Sequence, residues 1–323
     1  MKKLLLITLS VTALLSCTKD HGLNPENQDV ALSVKAGIMV DPSIMTKSII
    51  IGSSFADGAE IGVQVLKGAS IYQTGAKTNI LYTNNSGTWS PETPFYLTSA
   101  EGNIYAYYPY VSVASNNALF TTIPVTITPG ITTGAETDYM YATASTCSNA
   151  DATIALTMNH ALAQVSFYVY KANYSGNGSL TQFKIEDAAA ETSFIKTSST
   201  ALTMNIINGT IAGGSKGTLT RTLDTPVTLS ATAPDPEGTA AALRAQVNAT
   251  TLTIPTTLIG ATDIKFTFTI DGVDYVIYNS SEITWAAGNQ YIYTIKLEGT
   301  ELVISDPTIT DWSPVINDAL TIN

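Results

Sequence analysis

The sequence has few of the residues from which catalytic and metal sites are usually built. Its 323 residues include two histidines, His21 and His160, and two cysteines, Cys17 and Cys147. A nucleophile–histidine pair or a metal site with several histidines therefore has almost no material. The sequence predicts no metal, no cofactor and no enzymatic activity.

A phosphate-binding motif is missing as well. The string G-x-S-x-G occurs once, at Gly213–Gly217, within the glycine-rich run 209–217. The glycine-rich run 209–217 has Ser215 after Gly214, where a phosphate-binding loop requires a lysine. We interpret this run as a glycine-rich turn.

Charge is scarce and mostly negative. Charged residues make up 13% of the chain, and the formal net charge is −11. Nucleic acids and anionic membrane surfaces bind clusters of Lys and Arg, and no such cluster occurs. We therefore expect no nucleic-acid partner. A low charge with abundant Thr, Ser, Asn and Gly is typical of secreted β-rich proteins and argues against long exposed helices.

The apolar run Leu4–Leu15 is shorter than the roughly 20 residues of a membrane-spanning helix. It follows Met1-Lys2-Lys3 and ends in Leu14-Leu15-Ser16-Cys17, which is the pattern of a signal peptide with a lipobox. We expect cleavage before Cys17 and lipid attachment to it, which would anchor the precursor in the outer membrane. Cys147 would then be the only other thiol, so no intramolecular disulfide could form.

Beyond a polar segment, 18–28, the sequence changes to short β-like runs separated by Gly, Asn and Pro turns. The first run, 29–40, alternates, with Val30, Leu32 and Val34 on one side. Strong hairpin signals join 265–270 to 275–278, and 290–297 to 301–304. One short helix is predicted within 238–247.

The length indicates two domains, because about 305 mature residues exceed the usual size of one. We place the boundary at Asn159-His160, between the two strand-like halves of 153–170. The predicted organisation is a lipoprotein signal peptide (1–16), a flexible tether (17–28), an N-terminal β-sandwich domain (29–158) and a C-terminal β-sandwich domain (159–323).

Four short motifs occur in order behind the lipobox: IYAYYPY at Ile104–Tyr110, DYMYA at Asp138–Ala142, HALAQV at His160–Val165 and ITDW at Ile309–Trp312. Together they resemble the fimbrillins, the subunits of type V pili, over nearly the whole mature chain. The resemblance rests on the ordered set, since each motif is short. It implies an all-β fold with two tandem transthyretin-like Greek-key β-sandwich domains, and a structural pilin function.

The resemblance also implies an assembly route. Fimbrillins are made as lipoproteins and polymerise after a surface protease specific for Arg or Lys removes the first strand, here 29–47. Lys47 is the candidate cleavage point and Ser48 the new N-terminus. Removing a strand leaves a groove that a donor strand of a neighbouring pilin subunit can fill. The implied partners are other pilin subunits, the protease and, for the precursor, the outer membrane; after processing the protein belongs to the fimbrium.

The C-terminal stretch 301–323 is the candidate donor. Its apolar side chains are Leu302, Ile304, Ile309, Val315, Ile316, Leu320 and Ile322. The sequence leaves open whether this stretch is a detachable donor strand or the last element of the fold. In the second case a tip or accessory subunit is the better interpretation.

A competing hypothesis is a surface lipoprotein that binds glycan or host protein as an adhesin. Tyr105, Tyr107, Tyr108 and Tyr110 form the one concentrated aromatic patch, which could stack on sugar rings. Strands commonly bury tyrosines with the hydroxyl at the rim, so packing is the alternative explanation. For His160 we favour a buried or boundary histidine satisfied by hydrogen bonds.

Overall fold

A computed structural model describes residues 28–38, 55–73, 77–113, 119–188, 195–234 and 240–312. Within these ranges the chain is almost entirely β-structure, which confirms the predicted all-β class.

The described residues form 23 strands and one helix. The first twelve strands are β1 (Val30–Ala31), β2 (Ser33–Ile38), β3 (Glu60–Lys67), β4 (Ser70–Ile71), β5 (Ile80–Asn85), β6 (Thr88–Pro91), β7 (Tyr96–Leu97), β8 (Gly102–Tyr108), β9 (Thr122–Val125), β10 (Gly130–Thr132), β11 (Met140–Cys147) and β12 (Thr153–His160). The others are β13 (Ala163–Ala172), β14 (Ser179–Asp187), β15 (Lys196–Asn205), β16 (Ile211–Lys216), β17 (Thr218–Thr228), the helix α1 (Ala240–Gln246), β18 (Ala249–Thr253), β19 (Ile264–Ile270), β20 (Val273–Tyr278), β21 (Asn289–Glu298), β22 (Glu301–Ile304) and β23 (Thr308–Asp311).

An eight-stranded sheet encloses the first of two hydrophobic cores. Its order is β2-β12-β11-β8-β3-β5-β6, with β4 added to β3. The two end strands approach each other, since Trp89 Nε1 on β6 donates a hydrogen bond to the Ala36 carbonyl on β2 at 3.1 Å. Alternate residues of these strands point inward, as the period of two requires. The fully buried Ile61, Tyr82 and Ile104 belong to this first core.

Three further sheets surround the second core. Their orders are β10-β17-β14-β19-β20, β18-β13-β21-β22 with β23 also paired to β21, and β16-β15-β9. Phe167 lies at the centre, with the rings of Phe183, Phe266 and Phe268 edge-on to it at centroid distances of 5.3, 5.3 and 5.0 Å. Edge-to-face packing is the favoured arrangement for buried aromatic rings.

The chain crosses between the cores before residue 158. Strands β9 and β10 pair with β15 and β17, and Ile123 and Val125 are buried in the second core. The segment 122–132 therefore lies inside the predicted first domain by position but packs with strands beyond residue 159. The division into domains at 158/159 stays a prediction.

Local predictions were accurate where the sequence contains a clear turn motif. Both predicted hairpins form, as β19–β20 and β21–β22, and the predicted helix is α1. The interpretation of 209–217 as a turn was wrong, because 211–216 is the strand β16 paired with β15. Gly213 and Gly214 have φ of 84° and 78° there, and a Cβ on Gly213 would lie 2.1 Å from the Ala201 carbonyl oxygen.

The residues 119–139, between β8 and β11, are called the crossing segment below. A buried ion pair holds this segment in place. Glu136, between β10 and β11, accepts hydrogen bonds from Arg221 Nε at 2.8 Å, Thr251 Oγ1 at 2.5 Å and the Leu252 amide at 3.1 Å. The Arg221 and Glu136 side chains are only 1% and 5% exposed. Arg221 Nη1 also donates to the carbonyls of Thr128, Pro129 and Thr220. This single pair thus joins the crossing segment to β17 and β18.

We expect Glu136→Ala to lower the free energy of unfolding by about 3–5 kcal/mol, because it leaves the Arg221 charge buried without its partner. Urea denaturation followed by tryptophan fluorescence measures the change. The control is Glu92→Ala, which removes a carboxylate with a 62% exposed side chain paired to Lys77 and should cost less than about 1 kcal/mol. Equal effects for the two variants would contradict the assigned role of Glu136.

Candidate functional site

The first described segment of the chain forms an edge of the eight-stranded sheet. Strand β1 pairs antiparallel with β7, and Leu32 N donates to the Phe95 carbonyl at 2.8 Å. Strand β2 then pairs in parallel with β12, from Ser33 opposite Thr153 to Ile38 opposite Met158. Because β2 is the end strand of its sheet, it has a ladder on one side only within the described residues.

The side chains of this edge strand alternate between core and solvent. Leu32, Val34 and Ile38 are 3%, 2% and 4% exposed and belong to the first core, whereas Lys35 and Gly37 are exposed. The predicted period of two is therefore present. Val30 was placed wrongly on the buried side, since it is 38% exposed on the separate strand β1.

Two side chains from the facing strands fix the backbone of the edge strand. Tyr82 Oη on β5 donates to the Leu32 carbonyl at 2.9 Å, and Trp89 Nε1 donates to the Ala36 carbonyl. Burial raises the pKa of the Tyr82 phenol well above its ordinary value, so Tyr82 remains a neutral donor. These two hydrogen bonds attach β2 to β5 and β6, in addition to its ladder with β12.

Together these contacts define a groove between β12 and β6, occupied here by residues 32–38. Without that segment, β12 would present an unpaired edge beside an apolar floor, and both favour binding of an extended strand. Main-chain hydrogen bonds would supply affinity, and the sites of Leu32, Val34 and Ile38 would fix the register.

The basic residues near the groove are all lysines. The only two arginines of the sequence, Arg221 and Arg244, are 1% and 2% exposed. Arg244 on α1 donates from Nε to Thr310 Oγ1 at 2.9 Å. Lys35 has an exposed side chain, but its backbone lies within the β2–β12 ladder. The predicted processing residues Lys47 and Ser48 and the predicted lipidation residue Cys17 lie outside the described residues.

The structure separates the C-terminal donor candidates into two groups. Leu302 and Ile304 are half-buried on β22, where they pack against the second core. Ile309 is 55% exposed on β23. The remaining candidates, Val315, Ile316, Leu320 and Ile322, lie outside the described residues.

The tyrosine patch does not form an exposed platform. Tyr107 is fully buried, and its hydroxyl donates to Asn79 Oδ1 at 2.7 Å. Burial raises the pKa of Tyr107. Tyr108 packs against Phe55 in the first core. Packing therefore explains the burial of Tyr107 and Tyr108, while Tyr105 and Tyr110 are half-buried.

Three residues from separate sequence motifs meet at one point. His160 Nδ1 lies 2.7 Å from Asp138 Oδ2, and the His160 ring stacks on Trp312 with centroids 3.9 Å apart. The Trp312 amide donates to the Gly288 carbonyl at 2.7 Å. The motifs were identified separately in the sequence, and their convergence depends on contacts that no local pattern encodes.

Within the ranges that the structure describes, no three His, Cys, Asp or Glu side chains lie close enough together to hold a metal ion. None of the described helices is long and apolar enough to cross a membrane.

The fold is similar to that of several solved structures from Bacteroides. A candidate cell adhesion protein from Bacteroides uniformis superposes with a TM-score of 0.60 at 18% identity, covering 88% of this chain and 99% of its own. A second, from Bacteroides ovatus, gives 0.60 at 15% identity over 90% and 99%. A fimbrial protein from Bacteroides vulgatus gives 0.54 at 12% identity over 88% and 100%.

No curated protein sequence matches the chain. The family model described as fimbrillin-like matches residues 46–312, which is most of the sequence. The earlier resemblance, carried by four short motifs, is thereby confirmed for the region that contains all four. The chain belongs to the fimbrillin-like family.

Proposed function

We propose that the chain is a structural subunit of a cell-surface fimbria, secreted as a lipoprotein and polymerised by donor-strand exchange after its first strand is removed. The observation that carries the proposal is the placement of Leu32, Val34 and Ile38 in a groove at the edge of the first core. A strand at the end of a sheet can be exchanged without breaking two ladders, as a central strand would require.

The proposal assigns the processing cut to a lysine. Both arginines are buried, so the folded chain offers no exposed arginine to a trypsin-like protease. Between β2 and β3, the segment 39–59 contains one basic residue, Lys47. A cut after Lys47 would separate the edge strand from the rest of the fold and leave Ser48 as the first residue. The same cut would remove the lipid proposed on Cys17.

The donor role is assigned to the residues after Trp312. Donation by Leu302 or Ile304 would break the β21–β22 ladder and uncover part of the second core. In the stretch 313–323, the even-numbered positions carry Ile316, Leu320 and Ile322.

The spacing of this C-terminal stretch matches the groove when it runs antiparallel to the strand it replaces. Ile322, Leu320 and Ile316 then take the places of Leu32, Val34 and Ile38. Asp318 falls at the position of Ala36, which is half-buried, unlike the three fully buried positions. Asp318, the charged residue among these even-numbered positions, thus falls at Ala36, the position that is partly exposed to solvent.

The first test is digestion with a lysine-specific endoprotease. We expect the N-terminus Ser48 and a ladder of multimers that resist mild detergent. Lys47→Gln should remain uncut between β2 and β3 and form no detergent-resistant multimers, while Lys77→Gln, on an exposed side chain, should behave as wild type. Complete cleavage at Lys47 that yields only monomer, even with other fimbrial subunits present, would contradict the proposal.

The donor register is tested with two neighbouring substitutions. Leu320→Asp places a charge in the site of Val34 and should abolish multimers after processing. Thr321→Asp adds the same charge one position along, where the side chain points away from the groove, and should leave multimers intact. Equal behaviour of the two variants would show that this stretch does not enter the groove in the proposed register.

The hydrogen bond from Tyr82 to the edge-strand segment 32–38 is tested with Tyr82→Phe. Loss of the hydrogen bond to the Leu32 carbonyl should weaken this edge by about 1 kcal/mol, which is roughly a fivefold faster amide exchange within β2. Hydrogen–deuterium exchange read by mass spectrometry measures it. Tyr139→Phe is the control, because that buried hydroxyl accepts from Thr126 N at 2.8 Å beside the second core and should leave β2 unchanged.

A further inference from the structure

A cavity of about 260 Å³ opens where the start of the described chain meets the connections that precede β5 and β7. Its floor is apolar, because Ile80 and Phe95 are only 1% and 6% exposed. Its walls are polar and are formed by Asp29, Gln73, Lys77 and Thr93. A concave site with an apolar floor and a few convergent polar groups is the usual form of a small-ligand site.

The ring of Tyr96 lines the exposed side of this cavity. Tyr96 is 50% exposed and lies on the two-residue strand β7, opposite Ala31 of β1. Tyr278, at 43%, is the other strongly exposed aromatic residue in the part of the chain that the structure describes, and it does not line the cavity. A tyrosine ring offers an apolar face for packing and a hydroxyl for hydrogen bonding. Tyr96 therefore places an aromatic face beside the polar walls.

The polar walls supply both hydrogen-bond donors and hydrogen-bond acceptors. The Asp29 carboxylate accepts, the Lys77 ammonium donates, and the Gln73 amide does both. Lys77 is held in position, since its Nζ donates to Glu92 Oε2 at 3.3 Å and to Thr93 Oγ1 at 3.2 Å. A ligand with several hydroxyl groups matches this set, because each hydroxyl can donate and accept.

The charges around the cavity favour a neutral ligand. Asp29 lines the cavity and Glu92 pairs with Lys77, so an anion would meet two carboxylates and a lysine that already has a partner. A cation would meet the Lys77 ammonium. The net charge of −11 opposes anion binding further. The volume is slightly below the roughly 300–1,000 Å³ of drug-sized sites, which suits one small ring.

We propose that this cavity binds one neutral sugar unit of a glycan, with the C–H face of the sugar ring against Tyr96 and its hydroxyl groups hydrogen-bonded to Asp29, Gln73 and Lys77. A pyranose ring combines an apolar face with hydroxyl groups around its edge and carries no charge, and the cavity presents the complement of each property. The aromatic face attracts the C–H bonds because its π-system is electron-rich.

The sugar site does not rest on strand exchange. A cut after Lys47 would remove Asp29 together with the first strand, so the cavity is complete in the uncut chain. The tests therefore use the uncut form, and their outcome is independent of whether processed chains form multimers.

An array of immobilised glycans tests the ligand class. The array carries glycans that end in galactose, glucose, mannose, fucose or N-acetylhexosamine, with glycans that end in sialic acid as the anionic comparison. The full chain carrying Cys17→Ser is presented in antibody-linked clusters, because one small site binds with a Kd of about 1 mM and multivalency raises the apparent affinity. We expect binding to glycans with neutral ends and none to those ending in sialic acid.

Three variants test the position of the site. Tyr96→Ala removes the aromatic face and should lower binding about tenfold. Gln73→Ala removes one hydrogen-bonding side chain and should lower it about fivefold. Tyr278→Ala removes a ring of similar exposure from β20 and should leave binding unchanged. Thermal unfolding checks that all three variants fold.

Three results would overturn the proposal. The first is a wild-type chain that binds none of the glycans with neutral ends. The second is binding by Tyr96→Ala that equals wild-type binding. The third is a preference for glycans that end in sialic acid, which would contradict the neutral ligand class.

Discussion

The hydrogen-bonded pair of Glu136 and Arg221 is the contact on which the arrangement of the two cores depends. The segment that carries Glu136 leaves the eight-stranded sheet after β8, adds β9 and β10 to sheets of the second core, and returns as β11. A buried charge pair is a poor source of net stability, but it tolerates little displacement because each partner must stay satisfied. It therefore fixes where the crossing segment sits, and β9 and β10 can then pair with strands distant in sequence.

The edge strands of the sheets are the part of the fold most relevant to the proposed function. The strand at one end of the first sheet inserts Leu32, Val34 and Ile38 into the core and is fastened by Tyr82 and Trp89. The strand at one end of the five-stranded sheet presents Val276 and Tyr278 to solvent. The first edge strand lies in a groove, and the second lies beside β22, the end strand of another sheet. Both follow from the same property of β-structure, since a strand at an edge has one unsatisfied side.

Local features of the fold could be predicted from the sequence. The β19–β20 hairpin was predictable because Asp271-Gly272 supplies the two positive φ values that its turn requires. The alternation of Leu32 and Val34 likewise indicated a half-buried strand. Strand β16 was missed because glycines usually mark turns, whereas Gly213 here lets the backbone pass close to Ala201.

Features that depend on distant contacts could not be predicted. Nothing near β9 or β10 indicates that they pair with β15 and β17. The meeting of Asp138, His160 and Trp312 and the burial of both arginines also arise only when the sheets assemble. At the groove, the sequence indicated the strand and its inward side chains. The fastening by Tyr82 and Trp89 required the structure, because these residues lie about fifty positions away in the chain.

Under the proposed processing, the burial of Arg221 and Arg244 would have a consequence for quality control. A protease that accepts both Arg and Lys meets no exposed arginine on the folded chain, so its action there is limited to lysines. A misfolded chain would expose Arg221, which lies on β17 in the fold, and Arg244, which lies on α1, as additional cleavage sites. Under the proposed processing, the protease that matures the folded subunit would therefore also degrade misfolded chains.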